Sequence, residues 1–93
     1  MWFELDPAKS ERCLRERGFA FSDMILAFAD PYRVVEPDER FDYGEDRFVL
    51  YGLVGGRLHV IVYTARGRAF RIISARKARA REQEYYRARF PRP

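Results

Sequence analysis

A single cysteine, Cys13, and a single histidine, His59, take most thiol and metal chemistry away from this chain. One thiol cannot form an intrachain disulfide, and a structural zinc site needs about four Cys or His ligands. Asp38, Glu39, Asp42, Glu45 and Asp46 lie close together but lack the spacing of a calcium loop, so they read as solvated acidic groups. No metal and no cofactor is expected. No G-x-S-x-G elbow occurs, which leaves a nucleophile triad unsupported. No glycine-rich segment leads into a helix with Lys-Ser/Thr, so a phosphate loop is absent, and Gly55-Gly56 reads as a hairpin turn. No apolar run approaches the roughly 20 residues of a membrane span. The start, Met1-Trp2-Phe3-Glu4-Leu5-Asp6, lacks a basic-then-apolar secretion signal. With no repeats, no low-complexity tract and no domain boundary, one cytoplasmic domain over residues 1–93, without membrane contact, is expected.

Lysine is scarce too. Of 18 basic residues only Lys9 and Lys77 are lysines, and the other 16 are arginines. Their distribution is lopsided. Residues 1–46 carry 6 basic and 12 acidic groups, a net −6; residues 47–93 carry 12 and 2, a net +10; the two sum to the overall +4. A guanidinium stays charged and offers phosphate a planar fork of donors, so the basic half suits a polyanion. A GC-rich genome produces the same arginine bias with no function attached, and a solvated basic face is the competing reading. Hydrophobic content of 47%, with 16% aromatic residues, is enough for a folded core and argues against disorder.

Local signals divide the chain into elements. Residues 2–5 read as a short strand. Asp6 is placed to cap a helix with Pro7 at its first position, and Gly18 to end it. A second helix opens at Phe21-Ser22-Asp23, with Ser22 as its cap and Phe21 stapled against Leu26. Met24, Ile25 and Phe28 follow at helical spacing, and Asp30-Pro31 stops it. Residues 32–35 are a candidate strand, and residues 36–46, with Pro37 and Gly44, an exposed loop. Strands at 47–53 and 58–64 flank Val54-Gly55-Gly56-Arg57, and a third at 69–75 follows Ala65-Arg66-Gly67-Arg68. Alternation in that third strand puts Phe70, Ile72 and Ser74 on one face and Arg71, Ile73 and Ala75 on the other, with Arg76 where it ends. A last helix covers residues 77–90, stopped by Pro91, with Ala78, Glu82, Tyr86 and Phe90 in one stripe. The expected fold is α+β: a small antiparallel sheet around a central meander at about 47–75, flanked by two N-terminal helices and one C-terminal helix.

The last hairpin and its exit carry Arg66, Arg68, Arg71, Arg76, Arg79 and Arg81, near Glu82, Tyr85, Tyr86 and Tyr63. RNA is cleaved without metal when its own 2′-OH attacks the adjacent phosphate. Such a reaction needs a base, an acid and cations for the phosphorane, and these residue types can supply all three. His59 is either a general base, since an unperturbed imidazole titrates near ~6.5, or a packing or surface residue of its strand.

Longer signatures then accumulate: Asp6-x-x-Lys9, Gly18-Phe19-x-Phe21, Asp30-Pro31 and Gly44-Glu45-Asp46-Arg47. Tyr63-Thr64-x-Arg66-Gly67 and Arg71-Ile72-Ile73-Ser74-Ala75-Arg76-Lys77-Ala78 follow, ending in Glu82 and Tyr86. From about residue 3 to residue 86 the chain resembles the BrnT family, ribonuclease toxins of type II toxin–antitoxin systems. The resemblance implies a RelE-like fold and a metal-independent endoribonuclease that inhibits translation and growth. It implies a BrnA-like antitoxin partner that represses transcription, so that DNA is met only through the complex. It also implies catalytic roles for Arg66, Arg76, Glu82 and Tyr86, and RNA contacts by Arg47 and Arg71, to which Lys9 and Arg79 add basic groups. Glu45 and His59 are acid–base or structural candidates. Structural alternatives stand beside these: Glu45 paired with Arg47, Arg71 paired with the acidic half, Glu82 bracing the last helix, Tyr86 in the core. Leu5, Cys13 and Arg17 depart from the family's usual Trp, Asn and His. Two other functions stand beside the toxin: a non-catalytic module that binds RNA or protein through the Arg-rich face, and, from Cys13 and Arg17, a degenerate toxin that retains only antitoxin binding.

Overall fold

The computed structural model describes residues 2–89, and five of its segments are strands of one sheet. They are β1 (Trp2–Leu5), β2 (Val34–Pro37), β3 (Arg47–Val54), β4 (Arg57–Arg66) and β5 (Ala69–Lys77), in the order β1-β5-β4-β3-β2. β3, β4 and β5 form the expected antiparallel meander, and β2 adds antiparallel to β3. β1 lies parallel to β5, with Phe3 opposite Phe70 and Glu4 opposite Arg71. The sheet is thus mixed rather than antiparallel throughout. The meander leaves the outer side of β5 unfilled, and the long excursion between β1 and β5 permits the crossover that parallel pairing needs. The strand expected at 32–35 lies two residues later, so Glu36 and Pro37 belong to the sheet, not to a loop. Asp38, also assigned to that loop, is buried, with Arg40 donating to both its carboxylate oxygens.

α1 (Pro7–Arg17) forms as its caps predict. Asp6 accepts from the Ala8 and Lys9 amides at 2.9 and 3.2 Å, and Gly18 takes φ 87° while its N–H donates to Leu14. β1 pairs with residues 69–72 only. Further along β5, α1 meets the uncovered edge: Arg17 Nη1 and Cys13 Sγ both donate to the Ala75 carbonyl, at 2.7 and 3.8 Å.

The second helix is a 3₁₀ helix, Phe21–Ala29. Three residues per turn put Phe21, Met24 and Ala27 on one face, and these three are its buried residues. Ser22 is not the cap. Ala20 holds that position, and Asp23 Oδ2 accepts its N–H at 2.8 Å. Nor does Phe21 staple to Leu26, which is 63% exposed while Phe21 is 3%. Behind this helix Leu50, Ile61, Tyr63, Ile72 and Ala75 form the main core with Met24 and Ala27. Gly52 lets the helix sit directly on β3: a Cβ there would stand 2.7 Å from the Ala27 carbonyl oxygen. Gly52→Ala should therefore cost about 1–3 kcal/mol, read as a lower urea midpoint at unchanged slope.

The last helix, α2, covers Ala80–Arg87, shorter than the expected 77–90. Lys77 still pairs with His59 in the sheet, which delays the helix; Phe90 and Pro91 lie outside the described residues. α2 crosses the face opposite the 3₁₀ helix, where Leu58, Val60, Ala78 and Tyr86 form a second, smaller core.

Candidate functional site

A β-bulge decides which arginines share a face. Val62 is opposite Ser74 and Tyr63 opposite Ile72, so Ile73 is an extra residue in β5. The simple alternation expected for residues 70–75 therefore fails: Ile72 and Ala75 are both buried in the main core, and Ser74 is exposed on the opposite side. Alternation alone would send Arg71 and Arg76, five positions apart, to opposite faces. One inserted residue restores them to the same face. Cross-strand partners extend that face in rows: Arg71, Thr64 and Arg47; Ser74, Val62, Val49 and Glu36; Arg76, Val60, Tyr51 and Val34. Arg66 follows Thr64 by two residues, on the same side.

At one end of this face Arg76 is clamped by Glu82 of α2. Nη1 and Nη2 donate to the two carboxylate oxygens, each at 2.7 Å, and Oε1 also accepts the Arg79 amide at 2.8 Å. The Arg76 fork holds the Glu82 carboxyl down at about 2, against burial that opposes it. The pair lines a groove of about 480 Å³ over a floor of Val49, Val60 and Val62. On the far wall Glu36 accepts from Tyr85 Oη at 2.6 Å and Tyr51 Oη at 3.2 Å. α2 thus spans the groove from β5 to β2 on Glu82 and Tyr85, one turn apart.

At the other end Glu45 joins Arg47 at 3.1 Å to Arg66 at 3.4 Å, and the Arg47 guanidinium stacks 3.9 Å over Tyr43. Arg47 followed by Arg66 lowers the Glu45 carboxyl. Arg71 faces Glu4 at 3.6 Å and Asp6 at 3.9 Å, an attachment to the acidic half that parallel pairing of β1 makes possible.

The other sequence candidates lie elsewhere. Tyr86 is buried and donates to Asp30 Oδ2 at 2.6 Å; burial and that bond raise its hydroxyl pKa well above the ordinary value. His59 is buried beside Phe19, ring centroids 5.0 Å apart. Its Nδ1 lies 2.9 Å from the Arg57 carbonyl, which assigns the proton to Nδ1, and burial lowers its pKa. Arg79 caps α2 from an exposed position. Lys9 lines a second, smaller hollow with Arg12, Arg17 and Ser74. Arg17 and Ser74 are common to both hollows, so the basic side of α1 continues the groove. Sequence reasoning missed Glu36, Tyr51 and Arg17 as site residues. Among the described residues no group of His, Cys, Asp or Glu is gathered to hold a metal, and no helix is long and apolar enough to cross a membrane.

These ionisations predict a two-stage acid response. His59 has a folded pKa below the ordinary 6.5, so protons favour the unfolded chain as pH falls below about 6.5. Glu82, Asp30 and Asp38 have depressed carboxyls; their contribution is complete above their unfolded values near 4 and is lost as pH drops through the folded ones. Urea midpoints should decline gently below pH about 6.5 and steeply below about 4.5; a flat profile down to pH 3 would contradict the assignment.

Comparison with protein families finds a match over residues 5–82 to the model described as "Ribonuclease toxin, BrnT, of type II toxin-antitoxin system". No curated protein matches the chain.

Proposed function

Because the chain belongs to the BrnT family of ribonuclease toxins of type II toxin–antitoxin systems, we propose that it cuts RNA without a metal, on the arginine-bearing face of its sheet. The 2′-OH attacks the neighbouring phosphate there, and the fold is of the RelE-like kind. One observation carries this: the bulge at Ile73 brings Arg71 and Arg76 onto the face that also bears Arg47 and Arg66. Arg76 is the cation for the scissile phosphate. At rest its fork is filled by Glu82, so a ground-state phosphate competes poorly. The phosphorane, with one more negative charge, competes better, which places the gain in the transition state. Glu82, held at about 2, is too weak a base to remove a hydroxyl proton and instead orients Arg76. Arg47, Arg66 and Arg71 hold flanking phosphates. Tyr86 anchors α2 through Asp30. A BrnA-like antitoxin would silence the toxin in the cytoplasm, and DNA would be met only through that complex.

Cleavage should persist in EDTA, leave a 2′,3′-cyclic phosphate or its opened 3′-phosphate, and stop when the scissile nucleotide is 2′-deoxy. Magnesium-dependent cutting with 5′-phosphate ends would reject the mechanism, and binding without cutting would favour a non-catalytic module. Affinity for single-stranded RNA should fall with salt at a log–log slope of roughly −0.7 per phosphate contacted, or about −2 if Arg47, Arg66 and Arg71 engage. A flat dependence would remove the phosphate face.

A further inference from the structure

A proton acceptor for the attacking 2′-hydroxyl is still required, and Glu82 is committed to Arg76 through both oxygens. The groove holds another carboxylate with a different environment. Glu36, half-buried on β2, forms no ion pair among the described residues. Its two oxygens each accept one tyrosine hydroxyl, Oε1 from Tyr51 on β3 and Oε2 from Tyr85 on α2. A carboxylate oxygen has two acceptor positions, so each keeps one for another donor. Tyr51 stands in the cross-strand row that ends in Arg76, and Glu36, Tyr51 and Arg76 line the same groove. Burial, then the Glu36 charge, pushes the Tyr51 hydroxyl up to about 12, so it remains a donor throughout the neutral range.

We propose that Glu36 is the general base of this site, taking the proton of the attacking 2′-hydroxyl of an RNA strand laid along the groove, with Tyr51 and Tyr85 as positioning residues. The inference rests on the RNA-cutting function proposed above. The O2′–P bond forms as the P–O5′ bond breaks. The 2′-hydroxyl proton passes to Glu36, the leaving O5′ takes a proton from water, and Glu36 then returns its proton to solvent. No oxidant, reductant or second substrate is needed.

The test uses the full chain and a short RNA that the wild type cuts, with its 2′-deoxy analogue as the binding probe. Glu36→Gln should lower kcat by about 10²–10⁴, the range for a lost general base, with KM and analogue affinity nearly unchanged. Glu36→Asp, a shorter carboxylate, should fall between. Wild-type kcat in Glu36→Gln, alongside a slow Arg76→Ala, would overturn the base and leave the function standing. Equal loss of kcat and analogue affinity would reduce Glu36 to a structural tether. A wild-type protein that cuts no RNA would overturn both readings. If circular dichroism shows Glu36→Gln unfolded, the double variant Tyr51→Phe/Tyr85→Phe decides, since an unheld carboxylate should cost at least about tenfold in kcat. Unchanged kcat in that variant, folded, would reject the proposal.

Discussion

Arg76→Ala should slow RNA cleavage by about 10²–10³, the usual consequence of removing one transition-state donor. The loss should fall on kcat more than on KM, because Glu82 occupies the fork until the phosphorane develops. The fold should survive. Arg76 lies near the strand end, and Glu82 keeps the Arg79 amide as a donor and is not sealed from water, its side chain being 18% exposed. Arg76→Lys should recover only part of the rate, since an ammonium restores the charge without the planar fork. Induced in cells, Arg76→Ala should relieve the growth arrest caused by the wild type. Full cleavage by a folded Arg76→Ala protein would move the reaction to another part of the face, with Arg66 and Arg47 the next group to remove.

The largest effect on stability should come from Asp30→Ala. The Asp30 carboxylate is buried and ties three elements: Oδ1 takes the Tyr32 amide at 2.9 Å, while Oδ2 takes the Leu53 amide at 2.9 Å and the Tyr86 hydroxyl at 2.6 Å. Burial alone would raise its carboxyl, but Tyr86 and then the two amides outweigh it and hold the group low. Alanine strands these donors, at about 1–3 kcal/mol for each left unsatisfied. A loss of roughly 3–5 kcal/mol is expected, a large share of the ~5–15 kcal/mol available to a small domain. Thermal unfolding should show this as a drop of well over 10 °C. Tyr86→Phe should lose only about 1–2 kcal/mol, since Asp30 keeps two amides. A loss under about 1 kcal/mol in Asp30→Ala would mean that water replaces the carboxylate easily.

Sequence signals carry the local parts of this structure and fail on the relational ones. Asp6, Pro7 and Gly18 delimit α1 because capping is decided within a few residues, and Gly55-Gly56 and Gly67 mark both turns of the meander. The 3₁₀ helix escapes detection because Met24, Ile25 and Phe28 also fit α-helical spacing; only the burial of Phe21, Met24 and Ala27, at strict intervals of three, separates the two. The bulge at Ile73 has no local signature at all, since it exists only in the register between β4 and β5. Strict alternation therefore divided arginines that the fold unites. Glu36 reads as the start of an acidic loop because the hydroxyls that hold it come from Tyr51 and Tyr85, 15 and 49 positions away. Arg76 and Glu82 are only six apart, yet their closure needs the strand to run to Lys77 before the helix begins.

The two outer strands bear on how this protein behaves when crowded. β1 and β2 are each four residues long, β2 ends in Pro37, and α1 occupies the side of β5 that β1 leaves uncovered. A neighbouring copy arriving edge-on would find few unpaired amides in a row, one interrupted by a residue without an N–H. Fibrillar stacking is thereby discouraged at both borders, even though Val34 and Val35 would otherwise favour it.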